Sequence, residues 1–308
     1  MEKKLIVEIA EGLGNQLFMH SFAYALSKKF GCKLMIDNKS GYFLKKNHLR
    51  IHQKYMLNYF NIKQNIAPKN NQYDTIFKRY RKKIELILDK FAYKKKFIRE
   101  INTKINDIKV ANPLEIPQIS QLSDVIYLQG NFENENYFKH LRNDIIKMYQ
   151  PLTQYINYDN KTINHLKQTN SVSIHIRVNK FTEQPHEINN KINILKSEKF
   201  KQDLIKYIYK AVLYFRKKIS NPVFFIWSND IENIKHYFKD SDFIFVSGND
   251  VINDFNLFSY AKHFIVGGST FHWWGAWLNE NPNKICVCSN DINPSNNKNF
   301  YPLSWHRI

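Results

Sequence analysis

The residues best suited to chemistry gather in four short stretches. In VSIHIRV, residues 172–178, strict alternation puts Val172, Ile174, Ile176 and Val178 on one face of a strand and Ser173, His175 and Arg177 on the other. A guanidinium at the C-terminal end of a parallel strand faces the crevice where such sheets bind ligands, and its rigid fork fits phosphate oxygens. The competing reading is the polar, solvent-facing side of an edge strand. In GGSTF, residues 267–271, small residues and hydroxyls open a helix, a geometry that attracts anions through backbone N–H groups alone. Trp273, Trp274 and Trp277 follow at i, i+1 and i+4, a spacing that suits plain core packing for Trp273 and Trp277.

The other two stretches also sit at strand ends. EGLGNQ, residues 11–16, places a glycine pair after a strand and before a helix. A dinucleotide fingerprint would need glycine at position 17, where Leu17 stands, although Asp37 lies where a ribose-binding acid is expected. A tight turn without a ligand and contact with part of a nucleotide-sugar or its acceptor are the alternatives. FFIWSND, residues 224–230, brings Ser228, Asn229 and Asp230 to the end of another strand, where Asp230 is also placed to cap the next helix. Asp240 and Asp242 imitate a metal-binding pair but fall between a helix and the start of a strand, the wrong end of a sheet, and read as a solvated turn. Neither HExxH nor CxxC occurs, and no structural or catalytic metal is expected.

The elements that must position these residues alternate. Residues 3–10 read as a strand, 12–15 as a turn, 16–30 as a helix closed by Gly31, and 33–37 as a second strand. From 77 to 109 the chain is strongly basic, with Ile84, Ile87, Leu88 and Phe91 at helical spacing. This predicts an amphipathic basic helix, either a solvated face over a core stripe or one drawn to a membrane surface. The Asn- and Gln-rich stretch 151–170 reads as a linker with room for a short helix. Beyond it, strands at 172–178, 221–230, 243–248 and 263–268 alternate with helices at 198–218, 231–238, 257–263 and 269–278, the beat of a doubly wound parallel sheet.

Composition narrows the function class. A chain of 308 residues, 43% hydrophobic, buries a large core and more readily forms two domains than one. Its formal charge of +19 favours phosphorylated small molecules, nucleic acid or an anionic membrane surface. The basic residues spread along the chain and do not interleave with aromatics as a stacking platform, which argues against nucleic acid. The N-terminal apolar run is interrupted by Glu8 and too brief for a secretion signal, and no stretch is long enough to span a bilayer. Cys32, Cys286 and Cys288 are few and odd in number, in keeping with a reduced cytoplasmic chain.

Taken in order, EGLGNQLF, VSIHIRV, FFIWSND, GGSTFHWWGAWL and the terminal YPLSWHRI resemble the bacterial alpha-1,2-fucosyltransferases of glycosyltransferase family 11. YLQGNFENENYF, residues 127–138, resembles the family's aromatic and glycine segment, and residues 70–120 are the least similar. The resemblance implies an α/β, GT-B-like architecture of two Rossmann-type domains facing a central cleft. An acceptor-side domain with a basic helical insertion would span 1–155, and a GDP-sugar-binding domain 156–308. It implies inverting, metal-independent transfer of L-fucose from GDP-fucose to the 2-hydroxyl of a terminal galactose on a cell-surface glycan such as lipopolysaccharide O-antigen. No cofactor beyond the donor is implied. Such an enzyme would be cytoplasmic, with peripheral contact to anionic lipid through residues 77–109. A transferase of another GDP-sugar and a basic nucleic-acid-binding protein are the rival readings.

Without a metal, preorganised donors must hold the departing diphosphate. The resemblance assigns Arg177 to it, Ser269, Thr270 and the helix start at Phe271 to the phosphates, and Gly14 and Asn15 to the opposite wall. His175 would orient the sugar or phosphate, and Ser228, Asn229 and Asp230 would line the donor. Asp254 resembles the acid that accepts from the guanine edge in related fucosyltransferases, a helix N-cap being its alternative. The base that deprotonates the galactose hydroxyl stays open among Glu11, Asp37, Glu183 and His186. The family's strand motif runs His-x-Arg-Arg-Gly-Asp; here Val178, Asn179 and Lys180 replace its last three residues, and Glu11 replaces the first glycine of the N-terminal turn.

Overall fold

The computed structural model describes residues 2–45, 54–100, 102–105, 108–111, 114–157, 160–182, 189–293, 297 and 299–308. It divides into two compact units: Met1–Gln150 with Ser295–Phe300, and Pro151–Pro294 with Tyr301–Ile308.

In the first unit, the apolar run KLIVE forms β1 (Lys4–Glu8), buried on both faces beyond its first residue. The chain turns through Gly12 into α1 (Leu13–Phe30), which begins three residues before the sequence suggests and so takes Gly14 and Asn15 into its first turn. Gly31 ends it at φ 61°; its N–H donates to the Lys28 carbonyl and that of Cys32 to the Ser27 carbonyl at 3.0 Å, so two orphan carbonyls of the last turn are satisfied. β2 (Lys33–Asp37) follows.

The basic stretch is not one helix. It begins as α2 (Ile76–Asp89), capped by Thr75 Oγ1 accepting from the Lys78 N–H. It continues as β3 (Lys95–Arg99) and the antiparallel pair β4 (Asn102–Ile105) and β5 (Ile108–Ala111). The lysines of KKFIR mask a strand whose Phe97 and Ile98 enter the core beside β6 (Leu122–Gln129). The sheet is parallel, in the order β2-β1-β6-β3. Nor is the stripe of α2 a core stripe: Ile84, Ile87 and Leu88 are exposed, as is Phe91 just past its end. The unit closes with α3 (Arg142–Met148).

The second unit starts with α4 (Asn160–Gln168), whose Ile163 and Leu166 are buried under β7 (Asn170–Ile176). α5 (Lys191–Lys218) starts seven residues earlier than expected because Asn190 caps it, its Oδ1 accepting from the Ile192 and Asn193 N–H groups. Val172, Ile174 and Ile176 pack on Leu204, Ile208 and Phe215 of α5. After β8 (Pro222–Ser228) the expected helix 231–238 is only a turn and a single 3-10 turn, and β9 (Phe243–Phe245) completes that edge. The helix expected at 257–263 lies earlier, as α6 (Val251–Phe258), because Asp250 accepts from the Ile252 and Asn253 N–H groups. β10 (His263–Val266), α7 (Thr270–Leu278), β11 (Cys286–Cys288) and β12 (His306–Arg307) follow. All six strands are parallel, in the order β12-β11-β10-β7-β8-β9. Counted from β7, that is the Rossmann order 3-2-1-4-5-6 read from the other edge.

Candidate active site

In a sheet of this order the chain winds outward in both directions from its first strand, leaving a crevice where the direction reverses. Here the reversal lies between β7 and β10. The carboxyl ends of those two strands are His175–Arg177 and the Gly-Gly-Ser-Thr turn, so two of the four stretches meet at one place. β7 is central, paired with β10 on one side and β8 on the other, which removes the edge-strand reading of its polar face.

That face is covered by α6 and α7. Ser173 Oγ lies 2.8 Å from His272 Nε2, and the His175 ring sits against Phe258, Phe271 and His272 at centroid distances of 5.9, 5.7 and 6.0 Å. Among the described residues, the Nδ1 atoms of His175 and His272 are sealed from solvent without a hydrogen-bond partner. Burial, joined by the Arg177 charge, pulls His175 down to about 3, and burial beside His175 pulls His272 well below its ordinary value. Both rings are therefore neutral near pH 7, with hydrogen-bonding capacity unspent.

Arg177 stands one residue past β7, half-buried. Asn229 spends its amide on the chain beside the site: its Oδ1 accepts from the Val178 N–H at 2.9 Å and its Nδ2 donates to the Val178 carbonyl at 3.1 Å. It clamps the chain beside Arg177 and acts as a positioning residue. Ser228 Oγ accepts from the Asp230 N–H at 3.1 Å, and Asp230 Oδ1 accepts from the Asn233 N–H at 3.2 Å. Asp230 thus secures a turn where the sequence suggests a helix cap.

Across the crevice, Ser269 is the N-cap of α7, with Thr270 and Phe271 in its first turn and free of any side-chain cap on the helix N–H groups. Trp273, Trp274 and Trp277 are buried behind it, Trp273 and Trp277 stacked at 6.0 Å and Trp305 joining at 5.6 Å. Gly275 lets α6 come close, since a Cβ there would meet Phe258 Cβ at 2.6 Å. The tryptophans fix the helix, and its small first residues are left for chemistry.

Asp254 lies within the first turn of α6 and is not its cap, a role Asp250 takes. Burial pushes its carboxyl up to about 6, against the pull of the Asn249 amide, which donates to Oδ1 at 3.1 Å. Asp240 and Asp242 sit before β9 and are both engaged by Arg216, at 2.7 and 2.9 Å. Among the described residues, no group of three or more His, Cys, Asp or Glu is placed to share a metal ion.

The first unit gathers a different polar cluster at its strand ends. Lys82 Nζ donates to Glu8 Oε2 at 2.5 Å, both side chains buried. The Tyr127 hydroxyl donates across Glu8 Oε2 at 2.8 Å and Asp37 Oδ2 at 2.6 Å, and Gln129 donates to Glu8 Oε1 at 3.0 Å. Ser40 Oγ and the N–H groups of Lys39 and Ser40 complete the shell of Asp37. Burial alone would push Glu8 up, but the Lys82 charge and hydrogen bond, with help from Tyr127 and Arg79, hold it below the usual carboxylate range. Asp37 is fully buried with every oxygen engaged, so it serves neither as acceptor base nor as ribose ligand. In α1, Asn15 Oδ1 is sealed without a partner among the described residues, and Gly14 precedes it in the first turn. Glu183 and His186 lie outside the described residues.

The profile of Glycosyl transferase family 11 matches residues 4–306. The chain belongs to glycosyl transferase family 11. Two Escherichia coli proteins are similar to it: an alpha-1,2-colitosyltransferase, 30% identical over 89% of this chain and 87% of that protein, and the O-antigen biosynthesis glycosyltransferase WbnK, 25% identical over 96% and 98%. Among solved structures, a variant of Arabidopsis thaliana FUT1 in complex with GDP aligns over 99% of this chain and 76% of that one, with TM-score 0.54 and 10% identity, a likeness of fold. The chain is thus a glycosyltransferase of α/β, GT-B-like fold, and the nucleic-acid-binding reading of its charge gives way.

Family membership makes the sequence departures informative. Glu11 and Asn179, where the family motifs carry glycine, both keep the left-handed backbone a glycine would take, at φ 62° and 58°. Asparagine tolerates that conformation and glutamate does so less readily. Gln16 Nε2 and the Tyr42 hydroxyl donate to the Glu11 carbonyl at 3.0 and 3.3 Å and help hold it there. Lys180, at the family's acid, lies 4.3 Å from the Phe200 ring centroid. Ser173 and His272 were missed by the sequence reading: both stand inside the motifs, but only a covered sheet face turns them into a buried pair.

Proposed function

We propose that this glycosyltransferase moves L-fucose from GDP-fucose to the 2-hydroxyl of a terminal galactose on an O-antigen-type glycan, inverting the anomeric carbon without a bound metal. The observation that carries the reading is the switch point of the second unit. It joins a half-buried guanidinium, an uncapped helix start and the neutral imidazole of His175, backed by the fully buried His272, features that suit a diphosphate leaving group.

The galactose O2 attacks the anomeric carbon from the face opposite the diphosphate. The bond from that carbon to the phosphate oxygen breaks, GDP leaves with the electron pair, and the hydroxyl proton passes to a base. Arg177, the Ser269 hydroxyl and the N–H groups at Thr270 and Phe271 take up charge as it develops on the diphosphate, the Ser269 N–H being spent on the Gly267 carbonyl at 2.8 Å. Neutral His175 orients an oxygen of the sugar or phosphate without competing for protons, and Ser228 and Asp230 flank the donor. The Asp254 carboxylate accepts from guanine N1–H and its 2-amino group. On the acceptor side Gly14 and Asn15 contribute, and Glu11 is the described candidate base.

A second reading is favoured by the colitosyltransferase relative: the donor sugar is a 3-deoxy analogue of fucose. Incubation in EDTA with a beta-galactoside and either GDP-fucose or its 3-deoxy analogue separates the two by product mass. We expect a fucosylated product whose linkage analysis gives alpha-1,2. Transfer of the deoxy sugar alone selects the second reading, a different linkage refutes the acceptor assignment, and no transfer without divalent metal refutes metal independence.

A further inference from the structure

A surface helix of a folded domain ordinarily turns its apolar arc inward. α2 does the reverse. Its only buried side chain is Lys82. Ile76, Phe77, Tyr80, Ile84, Ile87 and Leu88 are all exposed, Phe77 at 86%, and Phe91 just beyond the helix is 84% exposed. At roughly 100° per residue these seven side chains fill about 120° of arc, and Lys82 points away from its centre by about 180°.

The docked side sets Leu86 against the core and is otherwise held by polar contacts. Lys82 pairs with buried Glu8, Arg79 donates to the Ser40 carbonyl at 2.9 Å, and Tyr73 and Lys96 bond Glu85 at 2.5 and 2.7 Å. The helix acids lie on that side too: Glu85 is bound by Lys96, and Asp89 Oδ1 accepts from the Lys96 N–H. The outward rim is basic. Lys83, Lys90 and Lys94 are exposed and have no carboxylate partner among the described residues. An apolar arc of aliphatic and aromatic side chains bordered by unpaired lysines complements one surface chemistry, apolar within and anionic above.

We infer that α2 and the turn after it dock on an anionic phospholipid bilayer, Phe77, Ile84, Leu88 and Phe91 entering the acyl boundary while Lys83, Lys90 and Lys94 meet the headgroups. A second copy of this chain would bring one lysine rim against another at a formal charge of +19 each. A nucleic acid would leave Ile84, Ile87 and Leu88 without a partner, since aliphatic side chains offer no stacking face. Among the described residues no helix is long and apolar enough to cross a membrane, so contact through α2 is superficial. The inference stands independently of which sugar the enzyme transfers.

The test is co-sedimentation of the full chain with vesicles of phosphatidylcholine alone or mixed with phosphatidylglycerol. Wild type should partition onto the mixed vesicles at least about tenfold more strongly, with the preference falling as salt rises. Charge reversal by Lys83→Glu with Lys90→Glu should lower binding by at least about fivefold per lysine. Phe77→Ser with Ile84→Ser and Leu88→Ser should lower it at least tenfold, roughly, and keep the melting temperature, because these side chains are exposed in the folded chain. Equal partition onto neutral and anionic vesicles, or serine variants that bind like wild type, overturns the inference. So does a dimer in sedimentation velocity that the serine variant dissolves, which would give the arc to a second copy.

Discussion

Both units carry buried polar groups at the carboxyl ends of their parallel strands, yet the two clusters are finished differently. In the first, Glu8, Asp37, Tyr127, Lys82, Ser40 and Gln129 satisfy one another. In the second, His175 and His272 keep sealed nitrogens without partners, and Asp254 is held near the point where it exchanges its proton. Unmet hydrogen-bonding capacity in a buried place is expensive and persists where a ligand meets it. In the first cluster the carboxylate oxygens of Glu8 and Asp37 are all engaged, although Arg79 Nε and Asn38 Oδ1 beside it are sealed without partners among the described residues, and the cluster's work is to pin α2 to the sheet.

Breaking the closed cluster should damage stability most. Lys82→Met leaves Glu8 buried and unpaired, and should destabilise the fold by about 3–5 kcal/mol in urea melts. Because Lys82 holds the Glu8 carboxyl below its usual range, the stabilisation is complete above the ordinary glutamate pKa and lost as pH falls through the depressed one. The acid-side slope of stability should therefore shrink in the variant.

Breaking the open cluster should damage chemistry and leave the fold intact. Arg177→Ala should lower transfer by at least about a hundredfold with an unchanged melting temperature, measured as initial rates with GDP-fucose. A variant as active as wild type would mean the guanidinium meets no developing charge.

Asp254 gives a pH signature. Its carboxyl, pushed up to about 6, must be ionised to accept from guanine, so GDP affinity should be flat above that pH and fall about tenfold per unit below it. The free protein should behave oppositely, losing the contribution of neutral Asp254 as pH rises through about 6. Calorimetry across pH 5 to 8, repeated on Asp254→Asn, checks the sign, since the asparagine variant should keep only the pH dependence that titration of the GDP phosphate imposes on both proteins. The smallest effect belongs to Glu11→Gly, which should raise stability by about 0.5–1 kcal/mol by relieving a left-handed glutamate.

The legible parts of the fold were those with local signals. The αL glycine after α1, the alternation of VSIHIRV and the small residues before the tryptophans each carry their geometry in a few residues. KKFIR did not read as a strand because its partner residues in β6 lie about 30 positions away in sequence and its lysines outweigh Phe97 and Ile98 in any local window. The inversion of α2 was hidden because lysine is almost never buried unless paired, and its pair is Glu8, at the far end of the unit's sequence. The start of α6 was misplaced because two aspartates compete for the cap and only the backbone shows that Asp250 wins. At the site, Arg177, Ser269 and Thr270 stand in short motifs that the fold brings to the ends of β7 and β10 and Asp254 rests on the family resemblance alone, whereas Asn229 clamps Val178 and Asp37 is engaged by Ser40 and Tyr127.

The contrast between open and closed clusters is tested most directly by GDP titration calorimetry in EDTA on three proteins: wild type, Arg177→Ala and Tyr127→Phe. Wild type and Tyr127→Phe should bind GDP with similar affinity, and Arg177→Ala should lose at least about tenfold. Equal binding by Arg177→Ala, or loss of binding on removing the Tyr127 hydroxyl, would contradict the assignment of the nucleotide to the switch point of the second unit.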